Sequence, residues 1–351
     1  MSEIKVNNIQ GLSGTHGPVI SGTVEMNSTG AMSLPRGDTA YRGGRGRGVF
    51  GGGYGASSPY SEMNVIDYIT IATLGNAYDF GDLSVARSAS ACGNSTRGLF
   101  VGGRFSPTSS EYNIIDYITI SSTGNAFNFG DLLKVNPDPE CCANNVRGVF
   151  SGGYLNPGAE GLQYKSIEFV TIASLGNSAS FGDSTITGRR SFSGSNSVRG
   201  IWGGVRNKTP SPGTRHNNID YITMATLGDA LDFGDLTVAR SNCAGSSTSS
   251  TRMVMQNGMI VGGSVNTIDY ITMASTGDAI DFGDVTNTGT AEANAAVSNL
   301  TRGVIRSGGG DANNTLEYIT IATLGNAQDF GDLNTGRRVY GSLSDAHGGL
   351  G

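Results

Sequence analysis

The chain has 351 residues, a formal net charge of −6 and only 15% charged side chains, which excludes a main task of neutralising phosphate backbones or anionic lipid, and excludes disorder driven by high net charge. Glycine contributes 55 residues without the every-third spacing of collagen, so the excess serves turns and close backbone approach and predicts many short strands. No run reaches the roughly 18 apolar residues of a membrane span, and the opening MSEIKVNNIQ lacks the basic and apolar regions of a secretory signal, predicting a soluble product made without cleavage.

Residues 1–46 stand apart from everything that follows. VEMNSTGAMSLP alternates well enough for a strand, and AYRGGRGRG reads as a flexible connection, so this stretch is taken as an attachment segment and linker ahead of a repeat domain over 47–351. A rival reading makes GPVISG, TVEM and AMSLPRGD strands of one further repeat unit.

From Arg47 onward one phrase returns six times, beginning IDYITIATLGNAYDFGDL at Ile66 and recurring from Ile115, Ile167, Ile219, Ile268 and Leu316. Its closing Asp falls at 82, 131, 183, 235, 284 and 332, a period of 48 to 52 residues that suits a four-stranded propeller blade and no helical repeat. Each unit predicts four strands: a small-residue run (a), an apolar strand ending in glycines such as RGVFGGGY (b), the β-branched IDYITIA (c), and the AxxFGDL segment (d). Strand c is apolar on both sides, with Ile69 and Ile71 facing one way and Tyr68 the other, as a sheet sandwiched between two others requires. Gly75-Asn76 and its five equivalents predict a two-residue turn joining antiparallel c and d. The b-to-c connection varies most in length, which marks an exposed, tolerant face.

Strands b, c and d can be counted six times between Arg47 and Asp332, but strand a only five. The sixth is Arg337 to His347, which should return beside the first strand b and close six blades without exposed sheet edges. Counting the N-terminal segment as well gives the alternative of seven.

These features resemble the kelch repeat over about Arg47 to His347, with the Phe of FGD (Phe80, Phe129, Phe181, Phe233, Phe282, Phe330) standing where kelch blades place Trp. Together with the opening IKVNNIQGLSGTHGPVISG, the whole chain is similar to repeat-bearing virion proteins of tailed phages, cyanophages especially, often called tail-fibre-like. That resemblance implies an all-β propeller in the virion, present in many copies and assembled in the host cytoplasm. Its N-terminal segment would hold other virion proteins, and its loops would meet a host-surface glycan or protein. Alternatives are a decoration or spacer protein binding only virion proteins, and a glycan-degrading enzyme.

Contact candidates on the loops are Tyr54, Tyr60, Tyr112, Tyr154 and Arg215, since aromatic and Arg side chains carry interface energy. Two charges recur in every unit: Arg47, Arg97, Arg147, Arg199, Arg252 and Arg302 at the start of strand b, and Asp82, Asp131, Asp183, Asp235, Asp284 and Asp332 in FGD. A position kept six times cannot be one active site, so these are expected to form a structural Arg–Asp ring. Cys92, Cys141, Cys142 and Cys243 read as packing residues, without CxxC spacing. His16, His216 and His347 are scattered, and Trp202 replaces a core Phe. No catalytic constellation, metal site, cofactor motif, nucleic-acid patch or membrane segment is expected; DFG and GGRGRG lack the surroundings their kinase and nucleotide-loop meanings need.

Overall fold

The computed structural model describes residues 46–55, 62–155, 162–189, 191–207, 213–242, 246–286, 295–307, 313–339 and 341–350. Tyr60, Cys243, His16 and the N-terminal segment lie outside them. The long β-branched runs form strands and the glycines end them. Six four-stranded antiparallel sheets result, each with its strands in the order a, b, c, d. Blade 2 is typical: Ser90–Gly93, Arg97–Val101, Ile114–Thr119 and Phe127–Asp131. In blade 1 the first place is filled from the other end of the chain, since Gly341–Ser344 pairs with Arg47–Gly51 in the register Gly48 to Ser344 and Gly51 to Gly341. Six blades closed by the chain's own C-terminal strand make a six-bladed β-propeller, and the closed ring has no seventh place.

Each strand c has both faces buried, because apolar clusters fill all the spaces between neighbouring blades. Ile66 and Tyr68 pack toward blade 2, with Phe80 and Phe100. Ile69 and Ile71 pack the other way, toward Phe330 and Leu333 of blade 6. A β-bulge in strand d turns the FGD phenylalanine inward: Ile66 pairs with Gly81 and Asp67 with Asp79, leaving Phe80 unpaired. The same skip recurs in the other blades. All six phenylalanines are buried, each edge-on to the strand c aromatic, as Phe80 is to Tyr68 at 6.0 Å and 82°.

Strands c and d are antiparallel neighbours, but the connection between them is not a two-residue turn. Seven residues lie between Thr70 and Tyr78, as in every blade. The chain reverses at Thr70–Thr73, and Gly75, at φ +143°, reaches the adjoining blade. Its amide donates to the Phe330 carbonyl (3.0 Å), Ala77 N donates to Asp332 O, and the Asn76 carboxamide accepts from Asp332 N. Equivalent bonds span the other five junctions, with Asp229 and Asp278 replacing Asn in two of them. Local turn chemistry thus gives way to a staple between blades, because a Gly-Asn pair can satisfy amides on the neighbouring strand d as well as its own turn.

Candidate functional site

The antiparallel order gives the ring two unlike faces. Strand b always runs from the a–b turn toward the b–c loop, so b–c loops and d–a links share one face, and a–b and c–d turns share the other. Gly46 begins the described chain on the turn face, where its carbonyl accepts from Ile71 N as Thr96 O does from Ile120 N one blade on.

On the loop face the b–c connections rise as short two-stranded flaps: Arg104–Phe105 with Ser110–Glu111, Tyr154–Leu155 with Leu162–Gln163, and Arg206–Asn207 with Thr214–Arg215. In blade 5 strands b and c extend directly into a hairpin closing at Ile260 and Gly263. Neighbouring flaps are tied together. Glu62, only 4% exposed, accepts from the amide and hydroxyl of Ser106, and its carboxylate lies 4.0 Å from Arg104 Nε.

The sequence-derived contact residues fall on four successive blades. Tyr54 is half-buried on a two-residue strand paired with Arg337–Arg338. Tyr112 is half-buried at the foot of its flap, where its amide donates to Gly103 O. Arg215 is half-buried and donates from Nε to Ser241 Oγ at 3.2 Å. Tyr154 corrects the expectation of an exposed contact. It is 3% exposed beneath the Arg189 guanidinium (4.0 Å from the ring centroid), and its hydroxyl accepts from Arg104 Nη1. Inter-flap packing claims the ring before any ligand could.

The expected Arg–Asp ring is likewise corrected. Arg47, Arg97, Arg147, Arg199, Arg252 and Arg302 do form a ring, but each guanidinium lies over the strand c aromatic of its own blade, at 4.2 to 5.0 Å. Each donates from Nη1 to a strand c carbonyl of an adjacent blade, as Arg47 does to Ile120 O at 2.7 Å and Arg302 to Ile71 O at 3.0 Å. The FGD aspartates end strand d on the opposite face, out of reach, and their amides take the staple bonds described above.

The buried ion pairs use other residues. Asp67, Asp116 and Asp269, each the acid of an IDYIT run in strand c, meet Arg337, Arg87 and Arg240 at 2.7 to 2.9 Å with both side chains fully buried. Arg337 also donates to Gly52 O and Phe50 O, bracing the loop-face end of strand b. Sequence reasoning passed over these pairs although both signals were present. The acid recurs as Asp67, Asp116, Glu168, Asp220, Asp269 and Glu317, and LSVAR, LTVAR and LNTGR each carry the arginine.

Along the ring axis the inner strands enclose a channel of about 870 Å³, its open mouth included. Its wall is rich in hydroxyls, and these bridge adjacent blades: Ser195 Oγ donates to Ala143 O, Ser298 Oγ to Thr248 O, and Ser342 Oγ to Ala296 O. Asp138, Glu140, Ser191 and Asn242 line the loop-face end. Arg189 neutralises Asp138 at 3.1 Å, and Glu140 accepts from Ser191 N. The turn-face end is closed by the C-terminal tail. His347 Nε2 donates to Gly93 O at 2.7 Å, its Nδ1 accepts from Gly349 N at 3.0 Å, and Gly348 N donates to Thr248 Oγ1. Burial lowers the pKa of this imidazole. Cys92, Cys141 and Cys142 are buried free thiols between blades; burial first, and the neighbouring Cys92 thiol second, raise the pKa values of Cys141 and Cys142 and keep those two protonated. Trp202 is core, 3% exposed. Among the described residues no cluster of three or more His, Cys, Asp or Glu could hold a metal ion.

No protein-family description matches the chain, and no curated protein sequence does. Solved structures share its fold. One titled "Structure of YjhT" superposes with a TM-score of 0.53 over 65% of this chain and 78% of that one, at 10% identity. At that identity the likeness bears on the propeller architecture alone. No helix among the described residues is long and apolar enough to cross a membrane.

Proposed function

We propose that this chain is a non-catalytic structural and binding module of a tailed-phage virion. It is held to other virion proteins through the segment ahead of Gly46 and offers its loop face to a host-surface glycan or protein. The single observation that carries this reading is the polarity of the ring: the chain enters on the turn face, whereas the variable flaps stand on the face opposite. A module anchored through its N-terminal segment would therefore hold its variable face away from the anchor. The charges kept in all six repeats brace the fold and leave recognition to residues that differ between blades, such as Tyr112 and Arg215. Many copies per particle would let weak contacts suffice.

The test is adsorption. Excess purified protein should slow attachment of the phage to its host, and an Arg215→Ala, Tyr112→Ala double variant should compete at least tenfold less well. A particle whose attachment is indifferent to excess protein defeats the reading. A spacer that binds only virion proteins is the second reading, favoured by the burial of Tyr154 and the Glu62–Ser106 link, which use up flap side chains internally. It predicts incorporation into particles without any competition.

A further inference from the structure

The flaps of blades 1 to 4 share one plan, and blade 4 fills it differently. In blade 1 Tyr54 bridges Glu62 on one side and pairs with Arg338 of the d–a link on the other. In blade 2 Arg104 lies opposite Glu111, and in blade 3 Tyr154 lies opposite Gln163. The same place in blade 4 is held by Arg206, which pairs with Arg215 across the flap and bridges Arg189 of the d–a link. Two backbone bonds make that bridge, Arg189 N to Arg206 O at 3.3 Å and Arg206 N to Arg189 O at 3.0 Å. Three arginines therefore stand in a row on three adjacent strands, where directly opposite residues share one face and like charges destabilise the pairing. Nothing in the flap demands them, since tyrosine, glutamate and glutamine fill the same places in other blades. The surrounding sequence offers no relief: Ser184 to Ile219 holds six Lys and Arg residues and no acid, in a chain whose net charge is −6.

We propose that the Arg189–Arg206–Arg215 row is an anion-binding site for the carboxylate or sulfate groups of an acidic polysaccharide. The choice of a host-surface glycan as carrier rests on the function proposed above, whereas the choice of an anion rests on the row itself. A guanidinium presents paired N–H donors that match two oxygens of one carboxylate or sulfate, so adjacent arginines can grip one anion or successive ones. The three divide the task. Arg189 is mostly buried over the Tyr154 ring and is held by Asp138 at 3.1 Å, which fixes one end of the row. Arg206 and Arg215 are half-buried and within reach of solvent. At the other end Arg215 donates to a neutral acceptor, Ser241 Oγ, which donates in turn to Asn242 Oδ1 at 3.3 Å. Asp138 and Asn242 both line the loop-face end of the channel, so the row spans its rim. A sugar whose acidic group meets the arginines would find neutral hydrogen-bonding groups beside it, Ser191 and Asn242 among them. Nucleic acid and anionic bilayers spread their charge far beyond one such row, and the net charge of −6 opposes them.

The experiment is binding of the full chain to four immobilised probes: polygalacturonate, dextran sulfate, uncharged dextran and duplex DNA. At least one of the two acidic polysaccharides should bind, and which of them does so identifies the group recognised. Uncharged dextran should not bind, and DNA should bind at least about tenfold less well. Arg206→Gln with Arg215→Gln should weaken polysaccharide binding about tenfold or more, since two charge-assisted donors are lost. That variant should melt no lower than wild type, because the like-charge contact is lost with them. A merely structural role gives the reverse, a lower melting temperature with affinity kept. Should the double variant unfold, Asp138→Asn, which takes the carboxylate away from Arg189, must tighten binding about threefold, and an unchanged affinity there overturns the proposal. So does the failure of both acidic polysaccharides to bind, a folded double variant that binds as well as wild type, or DNA held as tightly as either polysaccharide. If the protein still slows phage adsorption in those cases, the loop face takes an uncharged partner, and the function proposed above stands without this site.

Discussion

Strand c carries a buried acid at the same place in every blade, from Asp67 to Glu317, and its cost depends on what faces it. Asp67 is braced by Arg337, yet burial outweighs the cation and its pKa is still raised. Removing the arginine strands a buried carboxylate, so Arg337→Met should cost about 3–5 kcal/mol in denaturant unfolding. Asp220 accepts hydrogen bonds from Thr185 and Asn218, and among the described residues no arginine forms an ion pair with it. Burial raises its pKa above 3.8. A carboxyl bound more tightly to its proton in the native state contributes most below its unfolded pKa, and that contribution is lost as pH rises through the native value. Asp220→Asn removes this loss. The variant should therefore gain on wild type as pH rises above about 4, read from denaturation curves at each pH, and an unchanged difference across that range would count against it.

At the scale of elements, the c–d turn and the C-terminal tail do work that their local conformation does not suggest. The backbone of Gly75 packs against strand d of blade 6, where a Cβ on Gly331 would lie 2.6 Å from Gly75 O at φ +142°. Gly75 itself, at φ +143°, has open space where its Cβ would be. Both alanine substitutions carry backbone strain, but only Gly331→Ala also forces two blades apart. It should lose about 2 kcal/mol more than Gly75→Ala in equilibrium unfolding. In the tail, His347 is neutral with both ring nitrogens engaged, and burial holds its pKa below 6.5. Since the native state gives up this proton more readily than the unfolded chain, its contribution is complete above pH 6.5 and falls as pH drops below it. Amides of Gly348–Leu350 should lose exchange protection between about pH 6.5 and 5. In His347→Ala that pH dependence should vanish while Gly341–Ser344 stays protected.

For the whole molecule, stability rests on closure. Six interfaces of the same design share the load, and one of the strands that completes them is contributed by the last residues of the chain. Leu343 packs with Phe100 and Ile118 across the blade 1–blade 2 junction, so removing 341–351 leaves the inner edge of Arg47–Gly51 without its partner strand and uncovers that core as well. The truncated protein should melt at least about 10 °C lower, with a broadened transition. Substituting a single flap residue such as Arg215, remote from this seam, should leave the transition sharp.

How much of this is legible in the amino acids follows the same division of scale. The period of the FGD phrase, the β-branched run of IDYITI and the surplus strand at Arg337–His347 predict blades, their number and the way the ring shuts, because each is a pattern within or between stretches of chain. The partner of each repeated charge is not legible in this way. Arg47 lies on Tyr68 and Ile120 O, and Asp67 on Arg337, because strands far apart in the chain are stacked at one radius and one height. Likewise Asn76 caps a strand 256 residues away, Tyr154 is covered by Arg189, and His347 closes a channel built by other blades. Repetition and alternation are properties of the covalent chain and determine which segments become strands. Which polar group satisfies which is determined only when six sheets are packed into a ring, since desolvation makes every buried donor and acceptor take whatever partner that packing brings within reach.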